Sequence, residues 1–306
     1  MKLLVLAALM LTDPLASGTI QSTVPSPATV RVEQRLRRGR IRHLYVSPYG
    51  GMSIKFMFRF AGGHKAIFKP SQTRSSARYK AEIAAYRLAN HLGVDMVPPA
   101  CERTLTIDGL RRATAHPKFK ALRKRMDKEL RVTADGYVRG AAIHFLPRVR
   151  ETRLETDKRW HQWLQPGVTI PRAQRHRVRA LADILLLDLL FHNPDRFTGG
   201  NLLEALPTRR LLMIDNGASF RKVATLDRVY HRESLKVMQR VRRVTYRRMV
   251  RLDKKTLARV VRRPLGYGGS YLSRWEQRAL LRRRDLIRAH VEGLVRSHGK
   301  AKVFLR

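Results

Sequence analysis

The stretch that most limits the fold is "ALADILLLDLLF", residues 180–191, which runs into "HNPDRFTGGN" at 192–201. The pattern predicts a helix over 174–191 that is apolar nearly all round toward its end, as in a core helix packed on every side. Pro194 forces the chain out of that helix. Asp195 then stands on a loop anchored to a rigid element, where catalytic groups are usually found. Gly199 and Gly200 permit close backbone approach, and Asn201 follows. "NLLEAL" and "LLMI" read as a hairpin joined by "PTRR", and its second strand delivers Asp215 into an Asn-Gly turn.

An aspartate on a loop, an asparagine shortly after it and a hairpin ending in a second aspartate have a definite chemical use. One carboxylate can orient or deprotonate a hydroxyl, while the amide and the second carboxylate hold divalent metal on nucleotide phosphates. Each acid alone also suits an ordinary turn. Phosphoryl transfer further requires a cation on the phosphates, positioned by an acid on a helix. The chain offers that pair upstream. Around 44–70 the period turns to two, with Ile54, Phe56, Phe58 and Phe60 on one face and Lys55 and Arg59 on the other. "AGGH" turns the chain into "KAIFK", where Lys65, Ile67 and Lys69 share the side opposite Ala66 and Phe68. A helix predicted over 75–92 carries Glu82, Ala85, Ala89 and Leu92 in one stripe, so Glu82 faces a packed surface and needs a cation. Lys69, thirteen residues earlier, is the candidate.

Composition bounds the alternatives. With 43% hydrophobic residues in 306, a disordered polycation is excluded. The formal charge of +41, from 64 Lys+Arg against 23 Asp+Glu, favours acidic partners. Cys101 is the one cysteine, so neither a disulfide framework nor a cysteine zinc cluster can form. The 11 histidines are scattered without ligand spacing. Residues 1–18 read as a signal peptide: a basic Lys2, an apolar core from Leu3 to Leu11, then Ala16, Ser17 and Gly18. That run is too short to span a bilayer, which takes about 20 residues. Residues 19–40 read as a linker or mobile arm, 41–150 as a first lobe with a mixed, basic stretch from 101, and 151–306 as a helical second lobe.

Several blocks together resemble one family. "AIFKPSQTR", "KAEIAAYRLANHLGVDMVPPA", "AAIHFLP", "LLLDLLFHNPDRF", "MIDNGASF" and "SLKVMQRVRRVTYRRM" are similar, in the same order, to the secretory-pathway kinases. That group holds the Golgi casein kinase, the proteoglycan xylosylkinase and the four-jointed kinases. The resemblance covers about residues 55–250. It implies an α+β fold, a divergent two-lobed protein-kinase-like architecture with a small β-rich N-lobe and a helical C-lobe, working with ATP and Mn²⁺ or Mg²⁺. By position, it implies that Lys69 binds the phosphates and Glu82 is the helix acid. Asp195 matches the catalytic aspartate, Asp215 the metal aspartate, and Asp188 a structural support of the loop. Gly50 and Gly51 in "SPYGGMS", or Gly62 and Gly63 in "AGGH", would form the turn over the phosphates.

There are departures. The family's disulfides have no counterpart, as in a divergent, bacterial relative. The segment after Asp195-Arg196 is closer to the Asp-Arg-His-x-Gly-Asn loop of phosphoinositide kinases. Asn201, the metal amide, lies six residues past Asp195 instead of that loop's five.

The leading expectation is therefore an exported ATP-dependent kinase acting on an acidic protein or a glycan. The others are a lipid kinase of the phosphoinositide type, an AMP transferase on the same scaffold, a cytoplasmic location, and a non-catalytic polyanion-binding module. Nucleic acid ranks lower as a partner, because no basic strand is rich in aromatic residues.

Overall fold

A computed structural model of the chain describes residues 27–74, 77–198, 200–223, 225–226, 229–264 and 267–305. The signal-peptide segment, the first part of the arm and Gly199 lie outside the described residues.

Helix α1 (Pro27–Arg38) leads into strands β1 (Ile41–Val46), β2 (Phe56–Phe60) and β3 (Lys65–Pro70). Helix α2 (Tyr79–His91), β4 (Ala100–Thr106), α3 (Ile107–Ala113), α4 (Lys120–Glu129) and β5 (Tyr137–His144) complete the first half. The five strands form one antiparallel sheet in the order β1-β2-β3-β5-β4. The period-two reading holds. Ile54, Phe56, Phe58, Phe60, Ala66 and Phe68 are all buried, in one cluster with Leu36 of α1 and Met126 of α4. The opposite side of β3 is left to Lys65, Ile67 and Lys69.

The second half holds β6 (Val149–Glu151), α5 (Arg175–Phe191), β7 (Leu202–Ala205) and β8 (Arg210–Met213). It continues through α6 (Val229–Val237), β9 (Val241–Arg242), α7 (Arg243–Val250) and α8 (Lys254–Val260), and ends in α9 (Arg274–His298), α10 (Lys300–Val303) and β10 (Phe304–Leu305). As the apolar pattern requires, every residue of α5 from Leu181 to Phe191 is buried. Its two acids are matched by arginines: Asp183 by Arg242 at 3.0 Å and Asp188 by Arg196 at 3.2 Å. Arg283 of α9, fully buried, donates from Nε to the carbonyl of Leu190 at 2.9 Å and fixes the end of α5.

Three expectations change. The arm read over 19–40 is helical from Pro27, because Leu36 finds the sheet's apolar face and Glu33 accepts from Tyr86 at 2.7 Å. The mixed stretch from 101 contains a long strand, β4, whose Glu102 is buried by pairing with Arg263, and two short helices. The one-sided stripe of α2 is an underestimate. The helix is buried nearly all round, between the sheet and the C-terminal helices, where Arg87 donates to the carbonyls of Val260 and Arg262. Among the described residues no helix is long and apolar enough to cross a membrane.

Candidate active site

Three charged side chains from distant parts of the chain meet between the two halves. Lys69, near the end of β3, places Nζ 2.5 Å from Glu82 Oε1 and 2.9 Å from Asp215 Oδ1. The backbone N–H of Asn216 donates to the other oxygen of Glu82 at 3.0 Å, so both of its oxygens are engaged. Local structure explains the aim of each group. The alternation of β3 turns Lys69 away from the phenylalanine face. Glu82 sits in the first turn of α2, where a carboxylate is also favoured by the helix dipole. Asp215 adopts φ 52°, a left-handed value that aspartate tolerates better than most residues, at the point where the chain leaves β8.

The electrostatics are reciprocal. Burial opposes a charged Lys69, but Glu82 and Asp215 outweigh it and raise its pKa. Burial would likewise raise Asp215, yet Lys69 beside it holds the carboxyl below the usual carboxylate range. Lys69 and Asp215 therefore each favour the charged form of the other.

They line a cleft of 510 Å³, within the range of roughly 300–1,000 Å³ usual for small-ligand sites. Ile67, Ala100 and Ile143 of the sheet form one apolar wall, and Leu203 and Leu212 of the β7–β8 hairpin form the other. Gly50 and Gly51 line the same cleft, whereas Gly62 and Gly63 do not. Lys55, which sequence reasoning saw only as an outward-facing residue, also lines it and donates to the carbonyl of Gly50 at 2.6 Å. Burial, then the charge of Lys69, lowers the pKa of Lys55.

Asn201 reaches this cleft as well. Its amide nitrogen donates to the carbonyls of Asp195 at 2.9 Å and Thr198 at 3.1 Å, which leaves the amide oxygen without a hydrogen-bond partner among the described residues. Asp195 is not among the cleft-lining residues. It sits on the adjoining loop, half-buried, and its carboxylate forms no ion pair or hydrogen bond with any described residue. The loop is held by Arg196, whose importance sequence reasoning missed. Its guanidinium is 1% exposed and donates to Asp188 Oδ1, the Asn201 and Ile214 carbonyls and Asn216 Oδ1. In a chain with 64 Lys+Arg no local signal marks one arginine as interior. Asp188 is thus a support of the loop. Burial pushes its carboxyl up to about 6 despite Arg196.

These residues fit a metal-bound nucleotide. Asp215 and the free oxygen of Asn201 are hard oxygen donors, the apolar walls suit a base, and the lysines suit phosphates. Among the described residues no three His, Cys, Asp or Glu gather as a metal site. An ion completed by substrate phosphates needs no such cluster.

A five-stranded sheet whose Lys69 pairs with Glu82 of α2, joined to a helical half carrying the loop and hairpin acids, is a kinase-like two-lobed fold. Among solved structures, the chain is similar to the Golgi casein kinase with Mn/ADP bound, at TM-score 0.67 and 19% identity over 90% of this chain and 78% of that one. A second Golgi casein kinase structure gives TM-score 0.67 and 20% identity, over 92% and 80%. The structure of hydra Fam20 with sugar gives 0.68 and 21%, over 92% and 93%. The resemblance to secretory-pathway kinases thus holds at the level of fold. No protein-family model and no curated protein matches the chain.

Proposed function

We propose that this chain is an exported ATP-dependent phosphotransferase, moving the γ-phosphate to a hydroxyl of a protein (Ser/Thr) or glycan acceptor. The observation that carries this reading is the contact of Lys69 with both Glu82 and Asp215 inside an apolar-walled cleft. The fold shared with kinases solved with Mn/ADP and with sugar supports it.

ATP with Mn²⁺ or Mg²⁺ would supply the transferable phosphoryl group and the charge neutralisation that its transfer needs. Lys69 binds the non-transferred phosphates, and Glu82, clamped by the Asn216 amide, keeps the ammonium charged and aimed. Asp215 and the Asn201 amide oxygen would hold the ion. The uncommitted carboxylate of Asp195 takes the proton of the acceptor hydroxyl. Arg196 keeps the loop and the Asp-Asn-Gly turn in register, because one guanidinium bonds to both. The Gly50–Gly51 turn lets backbone approach the phosphates without side-chain obstruction.

Purified protein given ATP with Mn²⁺ or Mg²⁺ is expected to release ADP and label an acceptor, and Asp215→Ala to do neither. Equal turnover by that variant rejects the reading. Intact-mass analysis of the product separates phosphate from AMP addition. N-terminal sequencing of the mature protein tests export, with cleavage expected near Ala16–Gly18.

A further inference from the structure

A second cavity, of 550 Å³, opens at the far end of α5 from the catalytic loop. Helix α5 has 17 residues, which at ~1.5 Å per residue separates the two sites by roughly 25 Å. Five cations line this cavity and no acid does: Arg175 and Arg179 from α5, Arg240 and Arg243 around β9, and Lys300 of α10. None of the five forms an ion pair with any described residue, although arginines elsewhere pair repeatedly. The first turns of α5 and α7, which open here, hold no acid either, so their backbone dipoles add to the positive field.

The cavity is built, not merely coated with charge. Arg240 is half-buried and held by the carbonyls of Val168 at 2.9 Å and Trp163 at 3.3 Å, while its buried Nε has no hydrogen-bond partner among the described residues. Phe304 and Leu305 line the cavity too, held in place by pairing of β10 with β9. Gathering like charges around a concavity is unfavourable unless an anion occupies it. Guanidinium forks match the oxygens of phosphate in pairs.

We infer that this cavity binds an organic di- or triphosphate with an apolar body, its phosphates among the five cations and its body against Phe304 and Leu305. The site is separate from the cleft and does not depend on the function proposed for it.

The test is calorimetric titration of the full chain, without divalent ions and at fixed ionic strength, with tripolyphosphate, inorganic diphosphate and geranyl diphosphate. Tripolyphosphate is expected to bind, with affinity at least tenfold weaker in Arg179→Gln/Arg243→Gln and unchanged in Lys69→Met. Geranyl diphosphate is expected to bind at least fivefold more tightly than inorganic diphosphate, a margin that Phe304→Ala removes. Arg243 and Lys300 are exposed, so their replacement leaves the fold intact. Lys300→Gln alone, expected to weaken binding about threefold, provides the second variant should the double one unfold. The inference is overturned if the arginine variant binds as wild type, if Lys69→Met abolishes binding, or if sulfate competes as well as tripolyphosphate.

Discussion

Arg196 Nε lies 3.2 Å from Asp188 Oδ1, an ion pair with both side chains inside the protein. The same guanidinium bonds to the loop after α5 and to the Asp-Asn-Gly turn after β8. One buried arginine therefore determines where two of the candidate catalytic carboxylates stand relative to each other.

Replacing Arg196 with Met would strand the carboxylate of Asp188 and leave its other acceptors unpaired. Removing one partner of a buried pair costs about 3–5 kcal/mol. Urea denaturation should show that loss. Arg196→Lys is expected not to restore it, because an ammonium cannot reach acceptors arranged for a fork. A loss below about 1 kcal/mol would contradict the structural role.

Asp188 makes stability depend on pH in the direction opposite to most paired acids. Its folded value, about 6, lies above the ordinary 3.8, so between these values the folded state holds more protons than the unfolded chain. Stability contributed by this group is greatest below the ordinary value and falls as pH rises through about 6. The stability of wild type relative to Asp188→Asn should therefore drop between those pH values, by on the order of 3 kcal/mol. A flat difference across that window would show that burial does not perturb this acid.

Asp215 behaves in the usual sense. Lys69 depresses its pKa, so its contribution is present above the ordinary carboxylate value and is lost as pH falls through the folded one. In Lys69→Met the largest lowering influence is lost, while burial remains and Lys55 and Arg196 still oppose it. The Asp215 carboxyl should then titrate at higher pH, read by its ¹³C chemical shift, and turnover should be abolished. An unmoved titration would mean that the 2.9 Å contact does not control the ionisation of Asp215.

Asn201 should govern the metal more than the fold. Asn201→Asp keeps an oxygen ligand but loses the two donations that orient it to Asp195 and Thr198. Loss of an orienting partner typically weakens metal affinity by about 10–100-fold. Free Mn²⁺ measured by electron paramagnetic resonance, in the presence of ADP, should rise accordingly. Unchanged affinity removes Asn201 from the metal site.

Much of this site was legible because its signals are local. Pro194 and the apolar run mark the end of a core helix, the Asn-Gly turn marks Asp215, and alternation in "KAIFK" turns Lys69 away from the phenylalanine face. Glu82 was found as the single acid in an apolar helical stripe. What escaped were groups whose environment comes from elsewhere. Arg196 reads like any other arginine until Asp188 and Asn216 surround it, and Leu36 looks like part of a basic arm until the sheet covers it. Lys55 is a cleft residue only because the folded chain brings it, with Gly50 to which it donates, beside Lys69.

The sequence by itself determined the order of elements and the residue types that phosphoryl transfer requires, since periodicity and turn chemistry act over a few residues. Only the tertiary structure decided that Lys69 meets an aspartate 146 residues away. It also decided that five cations, none in an ion pair with a described residue, gather around Phe304 and Leu305 at the opposite end of α5. Those distances follow from how the sheet, α2 and α5 bury their apolar faces against one another, and no local pattern encodes them.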